Sequence, residues 1–336
     1  MKQPIATTME QLAANQSNIP IKKISISVVF ALCAYLAMGI LTEVDSVLQA
    51  IQSIPIPLYT VLIGLSLISY LTRFFRWLIF LRPIQPNISI CSHALIYFAG
   101  FALTTTPGKV GETLRSLYLN PLGISYSNSL AAFFSERLLD VLAVSALAML
   151  TIGAVTSTEN WFITVVFLFI SLFFLVRSRR LTGLFMYLSK NQLSVLTSEF
   201  QSKVGLFLSD RSMFTAFPLS VFAWACQGVS LVLIVGSFGF DANPFVIIGI
   251  YCLCILAGAA SFIPGGIGAT EAAIALLLSG LGMDPTHAVA ASIVSRLVTL
   301  WLAITIGLTA LLFLSGKQFS NQAIPTDELY KPNSSS

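Results

Sequence analysis

Two stretches of this sequence set charged side chains into apolar surroundings with a shared layout. Pro107 to Val144 reads PGKVGETLRSLYLNPLGISYSNSLAAFFSERLLDVLAV and carries Lys109, Glu112, Arg115, Glu136, Arg137 and Asp140. Pro264 to Ala303 reads PGGIGATEAAIALLLSGLGMDPTHAVAASIVSRLVTLWLA and sets Glu271 and Arg296 in its apolar runs. Each has PGxxG, a short apolar run, Leu-Gly, an Ala-Ala pair, then Arg-Leu in an apolar helix. Gly123 precedes Arg137 by 14 residues, and Gly282 precedes Arg296 by 14. The chemistry these residues permit is anion recognition. A guanidinium presents a planar fork that matches phosphate. The tips Pro107, Gly108, Gly111 and Pro264, Gly265, Gly266, Gly268 would leave backbone N–H groups free at helix starts, which attract anions.

Four cations (Lys109, Arg115, Arg137, Arg296) accompany four anions (Glu112, Glu136, Asp140, Glu271). Each alone would cost roughly 2.5–3.5 kcal/mol to insert into a membrane. One reading makes them buried ion pairs that fix helix packing. The other makes them the lining of a polar cavity between two repeats, and the duplicated arginine favours this second reading.

The elements that must hold these groups are membrane helices. Of 336 residues 56% are hydrophobic and 10% charged, against about 25% charged in a soluble domain. The apolar runs are about 20 residues long, which suits helices rather than barrel strands. They fall near 24–42, 57–81, 88–106, 128–152, 160–177, 213–239, 244–262 and 286–314. Two shorter runs, 113–122 and 269–281, follow the PGxxG elements and are too short to span. Each is read as the return arm of a re-entrant hairpin with PGxxG at its tip.

Positive charge supports this topology. Lys22, Lys23, Arg73, Arg76, Arg82, Arg177, Arg179, Arg180, Lys190, Lys203, Arg211 and Lys317 all fall on the cytoplasmic side, with both termini. The loops with Glu43, Asp45, Glu159, Asp241 and Asp284 fall outside. The fold expected is an all-α polytopic membrane protein with about six transmembrane helices and two re-entrant hairpins. Three crossings separate the hairpins, so the second copy is inverted relative to the first, a common build of secondary transporters. A polar tail (1–20), one transmembrane domain (21–316, repeat halves about 88–152 and 244–314) and a disordered tail (317–336) complete the chain.

Other candidates carry less. Cys33, Cys91, Cys226, Cys252 and Cys254 lie in apolar stretches and read as small core hydrophobes. His93 and His287 lack metal-ligand spacing, and no nucleophile triad or Walker-type loop occurs, so no metal, cofactor or nucleic acid is expected. Arg73, Phe74, Phe75, Arg76 and Trp77 read as interfacial anchoring. Residues 191–210 fit a surface-lying amphipathic helix or a linker helix equally. No cleaved signal peptide is expected.

PGKVGETLR (Pro107 to Arg115), ERLLD (Glu136 to Asp140), PGGIGATEA (Pro264 to Ala272) and SRLVTLW (Ser295 to Trp301) resemble the lysylphosphatidylglycerol synthetase transmembrane-region family, the flippase-like proteins. The resemblance covers roughly Ile24 to Leu314. It implies a polytopic bacterial inner-membrane protein that moves or handles phospholipids or polyprenyl-linked lipids. It also implies that Lys109, Glu112, Arg115, Glu136, Arg137, Asp140, Glu271 and Arg296 are its functional polar positions. Two departures matter. The soluble aminoacyl-transferase domain of the fused synthases has no counterpart, so lysyl transfer is not implied and a separate lipid-modifying transferase is an open partner. Many relatives also carry Arg before the second glutamate, where this chain has Thr270.

Three functions compete: a flippase for an anionic lipid, a small-solute or proton-coupled transporter using Glu112, Glu136 or Glu271, and a lipid-modifying enzyme. The last lacks a convincing nucleophile, base or metal set. A non-enzymatic lipid translocase is the expectation.

Overall fold

The computed structural model describes residues 44–84, 88–155, 204 and 210–322. The apolar segments 24–42 and 160–177, most of 191–210, the polar tail 1–20 and the basic residues from Arg177 to Lys203 lie outside the described residues. The described residues hold no strand and form helices joined by turns and short links: α1 (Val44–Ser53), α2 (Ile56–Leu81), α3 (Ile90–Ala99), α4 (Arg115–Leu119), α5 (Tyr126–Val155), α6 (Asp210–Ser237), α7 (Pro244–Ala260), α8 (Ala269–Gly280), α9 (Pro285–Arg296) and α10 (Leu302–Gln322). α10 continues into the stretch from Lys317 that reads as a polar tail.

Local chemistry sets the boundaries. Pro57, Pro244 and Pro285 sit in first turns, where a missing N–H costs nothing. Ser89, Asn243 and Asp284 cap their helices, accepting from the N–H groups of Ser92 (3.2 Å), Phe245 (3.0 Å) and His287 (3.1 Å). Among the described residues, three helical segments are long and apolar enough to cross a membrane: Ile56–Leu81, Phe214–Ser237 and Pro285–Leu314. The 30-residue α5 has the length, about 45 Å, but carries Glu136, Arg137 and Asp140.

α7 and the stretch Ile90–Leu103 are apolar but shorter than the roughly 20 residues a crossing takes. Each ends in a break, and each break leads into Pro-Gly. The turn Pro107–Leu114 packs against the turn Pro264–Gly266. Helices converge around that meeting point. α2 lies along α6, α5 along α7, α8 against α7 and α9, and α10 against α3. One core cluster joins α5, α6, α7, α8 and α9 through Leu147, Leu231, Ile250, Ile274 and Val294. A second, aromatic cluster joins α2 and α3 through Phe74, Trp77, Phe80 and Tyr97. Cys226, Cys252 and Cys254 are buried as expected of core residues, whereas Cys91 is exposed.

Gly123 and Gly282 end the short arms at φ 90° and 97°, the left-handed region that glycine enters without steric cost. Each turns the chain back into the helix that carries the corresponding arginine.

Candidate functional site

Six charges, five buried and Arg137 partly exposed, form a closed ring, each shared between two partners of opposite sign. Arg76 on α2 contacts Asp140 (2.6 Å) and Glu136 (3.5 Å) on α5. Glu136 contacts Arg115 (3.1 Å), which contacts Glu112 (3.5 Å). Glu112 contacts Arg137 (3.7 Å), and Arg137 returns to Asp140 (3.0 Å). Helical periodicity makes this possible. Glu136 and Asp140 lie four residues apart and so share one face of α5.

Neighbours supply further polar contacts. Ser220 accepts from Arg76 at 2.6 Å, the Trp224 indole donates to Asp140 at 3.1 Å, and Thr104 donates to Glu112 at 3.0 Å. The Arg115 guanidinium stands 4.5 Å from the Trp77 ring centre and 4.8 Å from that of Tyr97. Such stacking suits a weakly hydrated planar cation.

The second arginine has its own partner. Arg296 donates to Glu271 at 2.9 Å and to the Gly265 carbonyl at 2.6 Å. Glu271 also caps α8, accepting from the Gly268 N–H at 2.7 Å. A π-turn, Leu297–Trp301, follows Arg296 directly, and its Thr299 carbonyl accepts the Tyr70 hydroxyl. Such turns often mark functional positions in a helix.

The two halves repeat one plan. Arg137 meets Glu112, 25 residues before it, and Arg296 meets Glu271, also 25 residues before it. In both, the arginine of the long helix reaches the glutamate of its own PGxxG arm.

Both arginines border a single cavity of about 280 Å³. Arg73, Glu112, Arg137, Asp140, Arg296 and Gln227 give it a polar part, while Val141, Ile255, Leu256, Phe262, Ile263 and Leu300 give it an apolar part. Gly265 and Gly266 of the second tip reach it as well.

The chain matches the model of the lysylphosphatidylglycerol synthase transmembrane region over residues 24–307. It belongs to that family. It is also similar to two UPF0104 membrane proteins of Methanothermobacter thermautotrophicus. Both are 26% identical, over 267 residues (70% of this chain, 79% of the relative) and 261 residues (70% and 77%). A UPF0104 membrane protein of Pyrococcus horikoshii is 23% identical over 274 residues, 71% of this chain and 82% of the relative. The protein is thus a membrane protein of this family, in keeping with its apolar helices.

Of the polar positions carried over from the family, Glu112, Arg137, Asp140 and Arg296 border the cavity. Arg115, Glu136 and Glu271 stand behind them as buried partners of ions, which is the packing role set out from the sequence. The Lys109 side chain lies outside the described residues.

Two expectations change. The Gly268 N–H is taken by Glu271, and the Gly111 N–H donates to Thr106 at 2.6 Å, so these tip amides are not free for an anion. Positive charge at the cavity comes from side chains instead. Thr270 is buried at the cavity wall. A Cβ at Gly258 would collide with its hydroxyl, so a small residue there and a small partner go together.

Arg73 and Arg76 are not interfacial anchors: they are 6% and 0% exposed. The signal was present in the sequence. Both arginines share the α2 stripe of Ser66, Ser69, Tyr70 and Trp77, all buried, whereas Phe75 on the other face is exposed.

Proposed function

We propose that this chain is a translocase for an anionic lipid, either a phospholipid or a polyprenyl-linked lipid, in a bacterial inner membrane with both termini cytoplasmic. The observation that carries this reading is the convergence of Arg137 and Arg296, corresponding residues of the two repeats, on one cavity with a polar and an apolar part. About 280 Å³ lies just below the usual range of ligand sites, which begins at roughly 300 Å³. That is room for a head group while the acyl chains stay in the bilayer.

In this reading the two PGxxG arms are re-entrant hairpins, and the halves form an inverted repeat that alternates access around the cavity. The equal 25-residue Glu–Arg offsets and the contact between the two tips support it. Its partners are membrane lipids, with a separate lipid-modifying transferase supplying or consuming the cargo. The role proposed is movement rather than covalent chemistry, because both carboxylates at the cavity wall, Glu112 and Asp140, are held in ion pairs.

In reconstituted vesicles, Arg137→Ala and Arg296→Ala should each abolish head-group translocation without unfolding the protein. Normal movement by both variants would end the proposal. Glu112 at the cavity wall favours one rival, a proton-coupled solute transporter. Solute uptake that collapses with the proton gradient, without lipid movement, would select it.

A further inference from the structure

We infer that Arg73, stacked on Trp224, is the seat of a phosphodiester in the cavity. The inference rests on the translocase reading and adds the chemical class of the head group and the residue that holds it.

Arg73 differs from the other arginines around it. Arg76, Arg115, Arg137 and Arg296 each have a carboxylate within ion-pair distance, and Arg73 has none among the described residues. It is 6% exposed, and its Nε and Nη2 are buried without a hydrogen-bond partner. Its guanidinium carbon stands 4.2 Å from the Trp224 ring centre, and both side chains border the cavity. A desolvated cation with unused donors is unfavourable by several kcal/mol unless something pairs with it. Stacking on an indole recovers about 2 kcal/mol or somewhat more and leaves the N–H donors unused. An oxyanion in the cavity supplies what is missing.

Charge balance calls for a monoanion, and the planar fork of a guanidinium suits phosphate oxygens. Among the described residues, the ion ring, the Arg296–Glu271 pair and Arg73 comprise five cations (Arg73, Arg76, Arg115, Arg137, Arg296) and four carboxylates (Glu112, Glu136, Asp140, Glu271), which leaves one positive charge. A phosphodiester carries one negative charge and closes the balance. A phosphomonoester, at about −1.5 to −2, overshoots it beside Glu112 and Asp140. Arg137 adds a nearby donor, since its Nε is also without a hydrogen-bond partner. Gln227 accepts from the Tyr251 hydroxyl at 2.9 Å and lines the same wall, where its amide can meet a hydroxyl-bearing head group.

The test uses the purified full chain in detergent, with phosphatidylglycerol, a diacylglycerol of the same tails and inorganic phosphate as probes. Phosphatidylglycerol should bind the wild type and raise its melting temperature, and diacylglycerol should not. Arg73→Gln should weaken phosphatidylglycerol binding roughly tenfold or more, the size expected for a charge-assisted hydrogen bond. Arg73→Lys should recover part of it. Equal binding of phosphatidylglycerol and diacylglycerol by the wild type would overturn the inference, even if Arg73→Gln cannot be folded. So would unchanged phosphatidylglycerol binding by a folded Arg73→Gln.

Saturable competition by inorganic phosphate at equal strength would keep Arg73 as the phosphate seat and overturn a lipid as its source. If Arg73→Gln binds normally while Arg137→Ala and Arg296→Ala stop translocation, the seat falls and transport stands. Phosphate-dependent binding through Arg73 in a protein that translocates nothing would have the reverse meaning.

Discussion

Removing both partners of the Arg296–Glu271 pair should be far less damaging than the sum of the two single losses predicts. Glu271 is fully buried, with Arg296 at 2.9 Å and the Gly268 N–H at 2.7 Å. Arg296→Met takes away the cation and strands the carboxylate, a change that costs about 3–5 kcal/mol for a buried pair. Glu271→Met strands Arg296, which keeps the Gly265 carbonyl, and also uncaps α8. Loss of that cap adds roughly 1 kcal/mol. The double variant removes both charges together. What remains is the unmet Gly265 carbonyl and Gly268 N–H, about 1–3 kcal/mol each if unhydrated. The two losses should therefore fail to add, with a coupling of about 2 kcal/mol or more. SDS-titration unfolding of the purified protein, followed by tryptophan fluorescence, gives all four corners of the cycle. Additivity within about 0.5 kcal/mol would refute a pair energetically shut off from water.

Other perturbations probe the ring and the tight turns. Arg76→Leu should destabilise by about 3–5 kcal/mol in the same assay, whereas an interfacial arginine would give less than about 1 kcal/mol. Asp140→Asn should destabilise by a comparable amount, since its oxygens meet Arg76 at 2.6 Å and Arg137 at 3.0 Å, and Arg76→Leu combined with it should recover stability rather than lose more. Gly282→Ala should cost about 1–2 kcal/mol through backbone strain alone, because φ is 97° and nothing lies within 4 Å of a Cβ there. Gly307→Ala should cost about 1–3 kcal/mol for a different reason, as its Cβ would press into the Ala102 backbone, and thermal melting in detergent would rank the pair.

The site was legible in part because membrane burial makes charge conspicuous. Glu112, Arg137, Asp140 and Arg296 stand out in apolar sequence, and all border the cavity. Arg73 and Arg76 were obscured because an arginine at the end of an apolar run serves equally as an anchor. The stripe of Ser66, Ser69 and Tyr70 marked the face they share, and the side that α2 turns toward α6 decides between the two roles. The tip amides misled in the opposite sense. Sequence shows where a helix start leaves N–H groups open, but not that Glu271 and Thr106 reach them first.

Composition alone determined that this chain belongs in a membrane, because 56% hydrophobic residues exceed what a water-surrounded core of this length can hide. Spacing alone determined the duplicated glycine-to-arginine plan. Tertiary structure alone decided which cation meets which anion. Coulomb energy depends on distances across helices far apart in sequence, such as Arg76 to Asp140 at 64 residues' separation, and no local pattern encodes those. It thereby also decided that one arginine, Arg73, is left without a carboxylate partner among the described residues.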